Sequence, residues 1–163
     1  MRRVSTICLL VIVALPVFAQ AQRSPIVHID GPDGKSIILS ATDLDAMARE
    51  KAEVADDKGK HAVYEGVPII EILQRAGAPS GKDLHGKNLT LYLLVTASDG
   101  YHAVYALAEL DPGFTDRQVL LVDKRDGKDL SSVEGPFRII AVGDKRHARW
   151  VRNVTSLSVR NAQ

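Results

Sequence analysis

Residues 89–97 read Leu-Thr-Leu-Tyr-Leu-Leu-Val-Thr-Ala, the most apolar stretch of the chain beyond its first twenty residues. Turn formers bound the run, with Gly86 before it and Ser98-Asp99-Gly100 after it. A short continuous apolar run between turn signals suits a central strand buried on both faces. Residues 101–106 then run back as its antiparallel partner.

The same punctuation appears on either side. Ile26-Val27-His28-Ile29-Asp30 alternates apolar residues, and the cluster Gly31-Pro32-Asp33-Gly34 turns it into residues 35–39, an opening hairpin. Ser40 with Asp43 resembles a capping box, and Leu44, Met47 and Ala48 predict a short helix ending near Arg49. Residues 51–57 and 61–64 are two short strands or an exposed loop. Pro68 suits the first turn of a helix whose buried face is Ile69, Ile70, Leu73 and Ala76, with Gly77 as its left-handed stop. Residues 107–110 are a turn of helix or an irregular link, and 119–123, 137–142 and 155–159 are further strands, with a charged turn at 124–128 that includes Arg125. No repeat, low-complexity tract or linker interrupts the pattern. The expected class is α+β, a compact β-rich mixed sheet or barrel with short helices, forming one domain over residues 22–163.

The amino terminus has a separate character. Arg2 and Arg3 precede an apolar run over 7–15, then Pro16 and Ala19-Gln20-Ala21. A basic start, a short apolar core and small residues before a cut are the parts of a secretory signal peptide, here residues 1–21. The run is far shorter than the ~20 residues that span a bilayer, so no stable membrane anchor is expected after cleavage at Ala19 or Ala21. A periplasmic or secreted location follows. Losing Arg2 and Arg3 with no acidic residue takes the formal charge from +1 to −1. Near-neutral charge gives no argument for nucleic acid. The lone cysteine, Cys8, leaves with the leader, so no thiolate remains to ligate a metal or attack a substrate.

Chemistry concentrates in residues 135–152, GPFRIIAVGDKRHARWVR. A strand carries Arg138, then a break at Gly143-Asp144 leads to Lys145, Arg146, His147, Arg149 and Arg152 around the only tryptophan, Trp150. Cations delivered to one edge of a sheet suit an anion site, because a guanidinium offers a planar fork of donors. Charge pattern alone favours the other reading, a solvated basic loop closing a sheet. Elsewhere His28, His61, His85 and His102 lack ligand spacing, and Ser98, Ser131 and Ser132 lack a nucleophile-elbow context.

The segment at 64–77, the turn at 96–101 and the closing stretch at 149–154, taken in order with the landmarks between them, resemble the sulfite-oxidase-type molybdopterin-dependent oxidoreductases. Tyr64-x-Gly66-Val67-Pro68-Ile69-x-x-Ile72-Leu73-x-x-Ala76-Gly77 is similar to that family's Y/W-x-G-V-P-L-x-x-L-L-x-x-A-G segment. Thr96-Ala97-Ser98-Asp99-Gly100-Tyr101 resembles its A-x-D-G-Y turn, with residues 107–110 after it. Leu120-Leu121, Asp126-Gly127-x-x-Leu130, Gly135-Pro136-x-Arg138-Ile139-Ile140 and Arg149-Trp150-Val151-Arg152-x-Val154 follow in the family's order. The resemblance covers roughly residues 60–160. It implies a mixed α+β domain with a largely β core that holds an anionic pterin phosphate between loops at one sheet edge.

The departures are as informative. The family's molybdenum-binding cysteine lies upstream of the first landmark, where residues 48–60 read AREKAEVADDKGK. Val142 stands for a family proline, and Asp144-Lys145-Arg146-His147 for its glycine-tyrosine-lysine. The resemblance therefore implies a molybdopterin-like pterin or another small anion held by Arg138, Arg146, His147, Arg149 and Trp150, with molybdenum not expected. The alternatives are an interaction module with an empty pocket and an active oxidoreductase with Asp56 or Asp57 as metal ligand, a hard carboxylate in place of a soft thiolate.

Overall fold

A computed structural model describes residues 24–55 and 59–162. The leader, Cys8, Asp56 and Asp57 lie outside the described residues. Strands are β1 (Ile26–Asp30), β2 (Ser36–Ser40), β3 (Glu50–Ala55), β4 (His61–Pro68), β5 (Leu91–Ala97), β6 (His102–Ala106), β7 (Val119–Arg125), β8 (Lys128–Asp129), β9 (Arg138–Ala141) and β10 (Val154–Asn161). The helices are α1 (Ala41–Asp45) and α2 (Ile69–Arg75), with short 3-10 turns between strands.

Two sheets result. The first runs β2-β1-β10-β5-β6, with β1 parallel to β10 and the other pairs antiparallel. The second runs β3-β4-β7-β8, and β9 also pairs with β7. Helix α2 packs on β1 from the first sheet and on β4 and β7 from the second. Its four buried residues Ile69, Ile70, Ile72 and Leu73 join one core with Val27, Ile29, Leu93, Val95 and Leu157 on one side and Tyr64, Val67, Leu120 and Val122 on the other. The α+β class with few short helices is as expected. The barrel alternative is corrected, because both sheets end in open edges rather than closing on themselves.

Local chemistry explains most boundaries. The Ser40 side chain accepts from the Asp43 N–H while the Asp43 carboxylate accepts from the Ser40 N–H at 2.7 Å, which completes the capping box. Helix α1 then stops at Asp45, short of the expected Arg49. The Arg49 guanidinium is drawn across to Glu65 at 2.9 Å and to Asp123, and the chain enters β3. Pro68 is the last residue of β4 and caps α2 from outside, rather than occupying its first turn. Gly77 takes φ +89, its N–H donating to the Gln74 carbonyl and the Ala78 N–H to that of Leu73, a Schellman stop. Gly66 is needed for a different reason: a Cβ there would sit 2.1 Å from the Leu121 carbonyl oxygen on the adjacent strand.

The apolar run at 89–97 also needs correction. Its first residues belong to a 3-10 turn, Gly86–Thr90, and β5 begins at Leu91. Within β5 burial alternates, with Leu91, Leu93, Val95 and Ala97 inside and Tyr92, Leu94 and Thr96 half-buried. The strand lies between β10 and β6 in a sheet with one face on the core and the other open, an arrangement that mixed and antiparallel sheets tolerate.

Candidate anion cleft

The break after β9 folds residues 142–153 back over the β5–β6 turn. Three ties hold the fold-back. Ile139 N–H donates to the Val151 carbonyl, Val154 N–H to that of Phe137, and the Trp150 indole N–H to that of Ala141 at 3.0 Å. Two tyrosines on or beside β6 add to this, the Tyr101 hydroxyl donating to Ala148 O at 2.8 Å and the Tyr105 hydroxyl to Arg149 O at 2.5 Å. Between the turn and the fold-back lies a cleft of about 360 Å³ lined by Ala97, Asp99, Tyr101, Val133, Arg138, His147, Ala148, Trp150, Val151, Arg152 and Asn153.

Arg138 is the first residue of β9 and is 1 % exposed. Its guanidinium donates to the Tyr64 hydroxyl at 3.1 Å and to the Glu134 carboxylate, while its Nε is buried with no partner. It sits against two rings, 5.4 Å from the Tyr64 centroid and 5.7 Å from that of Trp150. Glu134 also accepts from Arg125 at 3.2 Å and from the Tyr64 hydroxyl at 3.4 Å. Burial raises the Tyr64 phenol above its usual range, with the charges of Arg138 and Arg125 acting the other way. On the cleft side the His147 ring lies flat on Trp150, centroids 3.6 Å apart and planes 14° apart.

The expected site residues therefore divide. Arg138, His147 and Trp150 meet at the cleft, and Arg152 of the same basic stretch joins them. Arg149 turns away. Its Nε and one terminal nitrogen bond Asp144 at 3.1 and 2.9 Å, the other bonds Glu109 at 2.9 Å, and the guanidinium covers the Tyr105 ring at 4.4 Å. The Asp144 hydrogen bonds lift its pKa further above the usual guanidinium range. Arg146 is exposed and outside the lining. Arg125, which looked like an ordinary turn residue, is half-buried in the Glu134 network.

Sequence reasoning missed Glu134 and Asp99 as site residues, and treated Tyr64 and Tyr101 only as landmarks. The usable signal was Glu134 standing four residues before Arg138. His28, His61, His85 and His102 are all exposed, and among the described residues no three His, Cys, Asp or Glu side chains gather as a metal ion would require. A larger cavity of about 540 Å³ lies elsewhere, edged by Glu50, Glu71, Asp116 and Arg117. Among the described residues the one buried side-chain nitrogen or oxygen without a partner belongs to Arg138, which lines the smaller cleft, so the smaller cleft is the stronger candidate.

No protein-family model matches the chain, and no curated protein sequence matches it. Among solved structures, the crystal structure of the sulfane dehydrogenase SoxCD from Paracoccus pantotrophus superposes with a TM-score of 0.61 at 16% identity. The match covers 82% of this chain but only 37% of that one, so the chain spans little more than a third of its neighbour's length. At that identity the likeness concerns the fold alone: this chain shares the mixed two-sheet architecture of part of a sulfane dehydrogenase.

Proposed function

We propose that the chain is an exported, sulfite-oxidase-like domain that binds a small anion in the cleft beside Trp150, without molybdenum redox chemistry. One observation carries this reading: a buried guanidinium lines the cleft and keeps an unpartnered N–H at its Nε. Buried donors are nearly always paired, and this one belongs to a residue that lines the cleft, which supports an acceptor brought by a ligand. The neighbouring His147–Trp150 stack supplies a rigid wall.

The residues present do not fit a phosphorylated pterin. Two of the three arginines expected to hold it are absent from the lining, Arg146 at the surface and Arg149 spent on Asp144 and Glu109. The lack of cysteine after Cys8 argues against a thiolate-bound molybdenum. Glu134 favours a second reading, an interaction module with an empty pocket, because it already neutralises Arg138 from within.

Native mass spectrometry of protein purified from its own host separates the two. A bound anion lost on exhaustive dialysis and restored on adding it back supports the first. A bare chain that binds no added anion supports the second. Amino-terminal sequencing of the same sample tests export, with a start after Ala19 or Ala21 expected and an intact Met1 contradicting it.

A further inference from the structure

Strand β2 is a free edge of the first sheet, and its pairing with β1 fixes which backbone groups face outward. The Gly31 N–H donates to the Lys35 carbonyl and the Ala41 N–H to that of Pro25. Hydrogen-bonded pairs alternate along an antiparallel ladder, so Ile37 and Leu39 exchange hydrogen bonds with Ile29 and Val27. Ser36 and Ile38 therefore turn their N–H and C=O groups away from the sheet, and among the described residues nothing pairs with them. The open face is apolar at this edge. Ile38 is 56% exposed, and Ile26, diagonal to it on β1, is 46% exposed.

Sheet edges that stay unpaired are normally guarded by charged side chains, proline, a bulge or a covering segment. The edge strand β3 of the second sheet carries Glu50, Lys51 and Glu53. At the far edge of the first sheet, the Ala106 N–H of β6 is capped by the Glu109 carboxylate and Tyr105 ties the fold-back to the strand. Strand β2 reads Ser-Ile-Ile-Leu-Ser, with no charge, proline or bulge between Ser36 and Ser40.

We propose that β2 pairs antiparallel with β2 of a second copy of this chain, about a two-fold axis at Ile38. The strand is its own complement in that register. Ile38 lies opposite Ile38 of the partner subunit, a hydrogen-bonded pair that exchanges two backbone bonds. On the same face Ser36 meets the partner's Ser40, and on the core face Ile37 meets the partner's Leu39. Apolar groups meet apolar groups and serine meets serine, with no charge apposed on either face. The exposed Ile26–Ile38 patch of each copy then continues into the other across the axis. Net charge does not oppose the approach, since the whole chain carries a formal +1. An edge of 5 residues is far smaller than the ~800 Å² per partner of a stable interface, so the dimer is weak and forms as concentration rises. A two-fold pairing uses up the edge, so association stops at the dimer.

This pairing does not depend on what the cleft binds. Sedimentation velocity on protein purified from its own host tests it from about 10 µM to about 1 mM, with amide hydrogen exchange read at both ends of the range. A monomer–dimer equilibrium is expected, with exchange at the Ile38 amide slowed at the high end and that at the Val104 amide on β6 unchanged. Ile38→Lys sets two ammonium groups face to face across the axis and should weaken the dimer at least about tenfold. Val104→Lys, at a site 49% exposed on the same open face, should leave it intact. A wild type that stays monomeric throughout overturns the proposal, as does a dimer undiminished in a folded Ile38→Lys. Open-ended aggregation in place of a dimer overturns it too. Should Ile38→Lys fail to fold, the wild-type exchange decides: slowing at Ile38 supports the proposal, and slowing at Val104 alone, or at neither, overturns it.

Discussion

Glu134 and Arg138 face each other four residues apart across the Gly135-Pro136 turn, joined by a charge-assisted hydrogen bond beneath the cleft. The arrangement makes Glu134 a partner the fold requires. Removing one member of a buried ion pair strands the other, and here Arg138 would keep only the Tyr64 hydroxyl. Glu134→Ala should lower the unfolding free energy by about 3–5 kcal/mol. A urea midpoint within error of wild type would show that Arg138 finds another acceptor.

The alternation along β5 separates adjacent leucines. Leu93 is fully buried and Leu94 lies on the open face of the sheet. Leu93→Lys places an unpaired ammonium in the core and should leave the protein unfolded or insoluble. Leu94→Lys should stay within about 1 kcal/mol of wild type. Circular dichroism melts of the two variants check this, and similar behaviour would mean that the strand faces are misassigned.

Gly66, inside the Gly-Val-Pro landmark, lies where β4 crosses close to β7. An added methyl would lie 2.1 Å from Leu121 O and 2.5 Å from Val122 Cα, both backbone atoms that cannot rotate away. Gly66→Ala should cost about 1–3 kcal/mol or more through a forced backbone shift. Chemical denaturation reads the change, and a neutral result would contradict the close approach.

Acid should weaken the fold through the Arg49 cluster. The hydrogen bond from Arg49 holds the Glu65 pKa below its ordinary 4.5. A carboxylate with a lowered folded pKa contributes stability above its unfolded value and loses it as pH falls through the folded one. Melting temperature should therefore drop as pH is taken below about 4.5, and Glu65→Gln should show a shallower drop over that range. Parallel slopes for wild type and variant would remove Glu65 from the account.

Much of the fold was legible in local patterns. The opening hairpin, the Ser40–Asp43 cap, the Gly77 stop and the return from β5 to β6 depend on residues close in sequence. Sheet closure was not legible, because nothing in the 89–97 run shows that one face of its sheet meets solvent. The site was half legible. Arg138, His147 and Trp150 come together because β9 and the fold-back after it are contiguous in the chain. Arg149 sits two residues from His147, yet it is turned away by Asp144 from its own stretch and by Glu109, forty residues away in sequence. Charge alone marks the basic stretch. Which of its cations is already matched depends on side-chain directions: Asp144 and Glu134 are near in sequence, but only the fold shows that they turn onto Arg149 and Arg138.

Trp150 is the only tryptophan, and it carries His147 on one ring contact and Arg138 on another, at the wall of the cleft. Its fluorescence therefore reports on the site and on nowhere else. The most direct test follows that signal while methanesulfonate is titrated into wild type, Arg138→Met and the exposed-site variant Arg146→Ala. The account predicts a saturable change in wild type, the same affinity in Arg146→Ala, and binding weakened by about ten- to a hundredfold in Arg138→Met, the loss of a charge-assisted hydrogen bond. Equal affinity in wild type and a folded Arg138→Met, or no saturable change in any of the three, would contradict it.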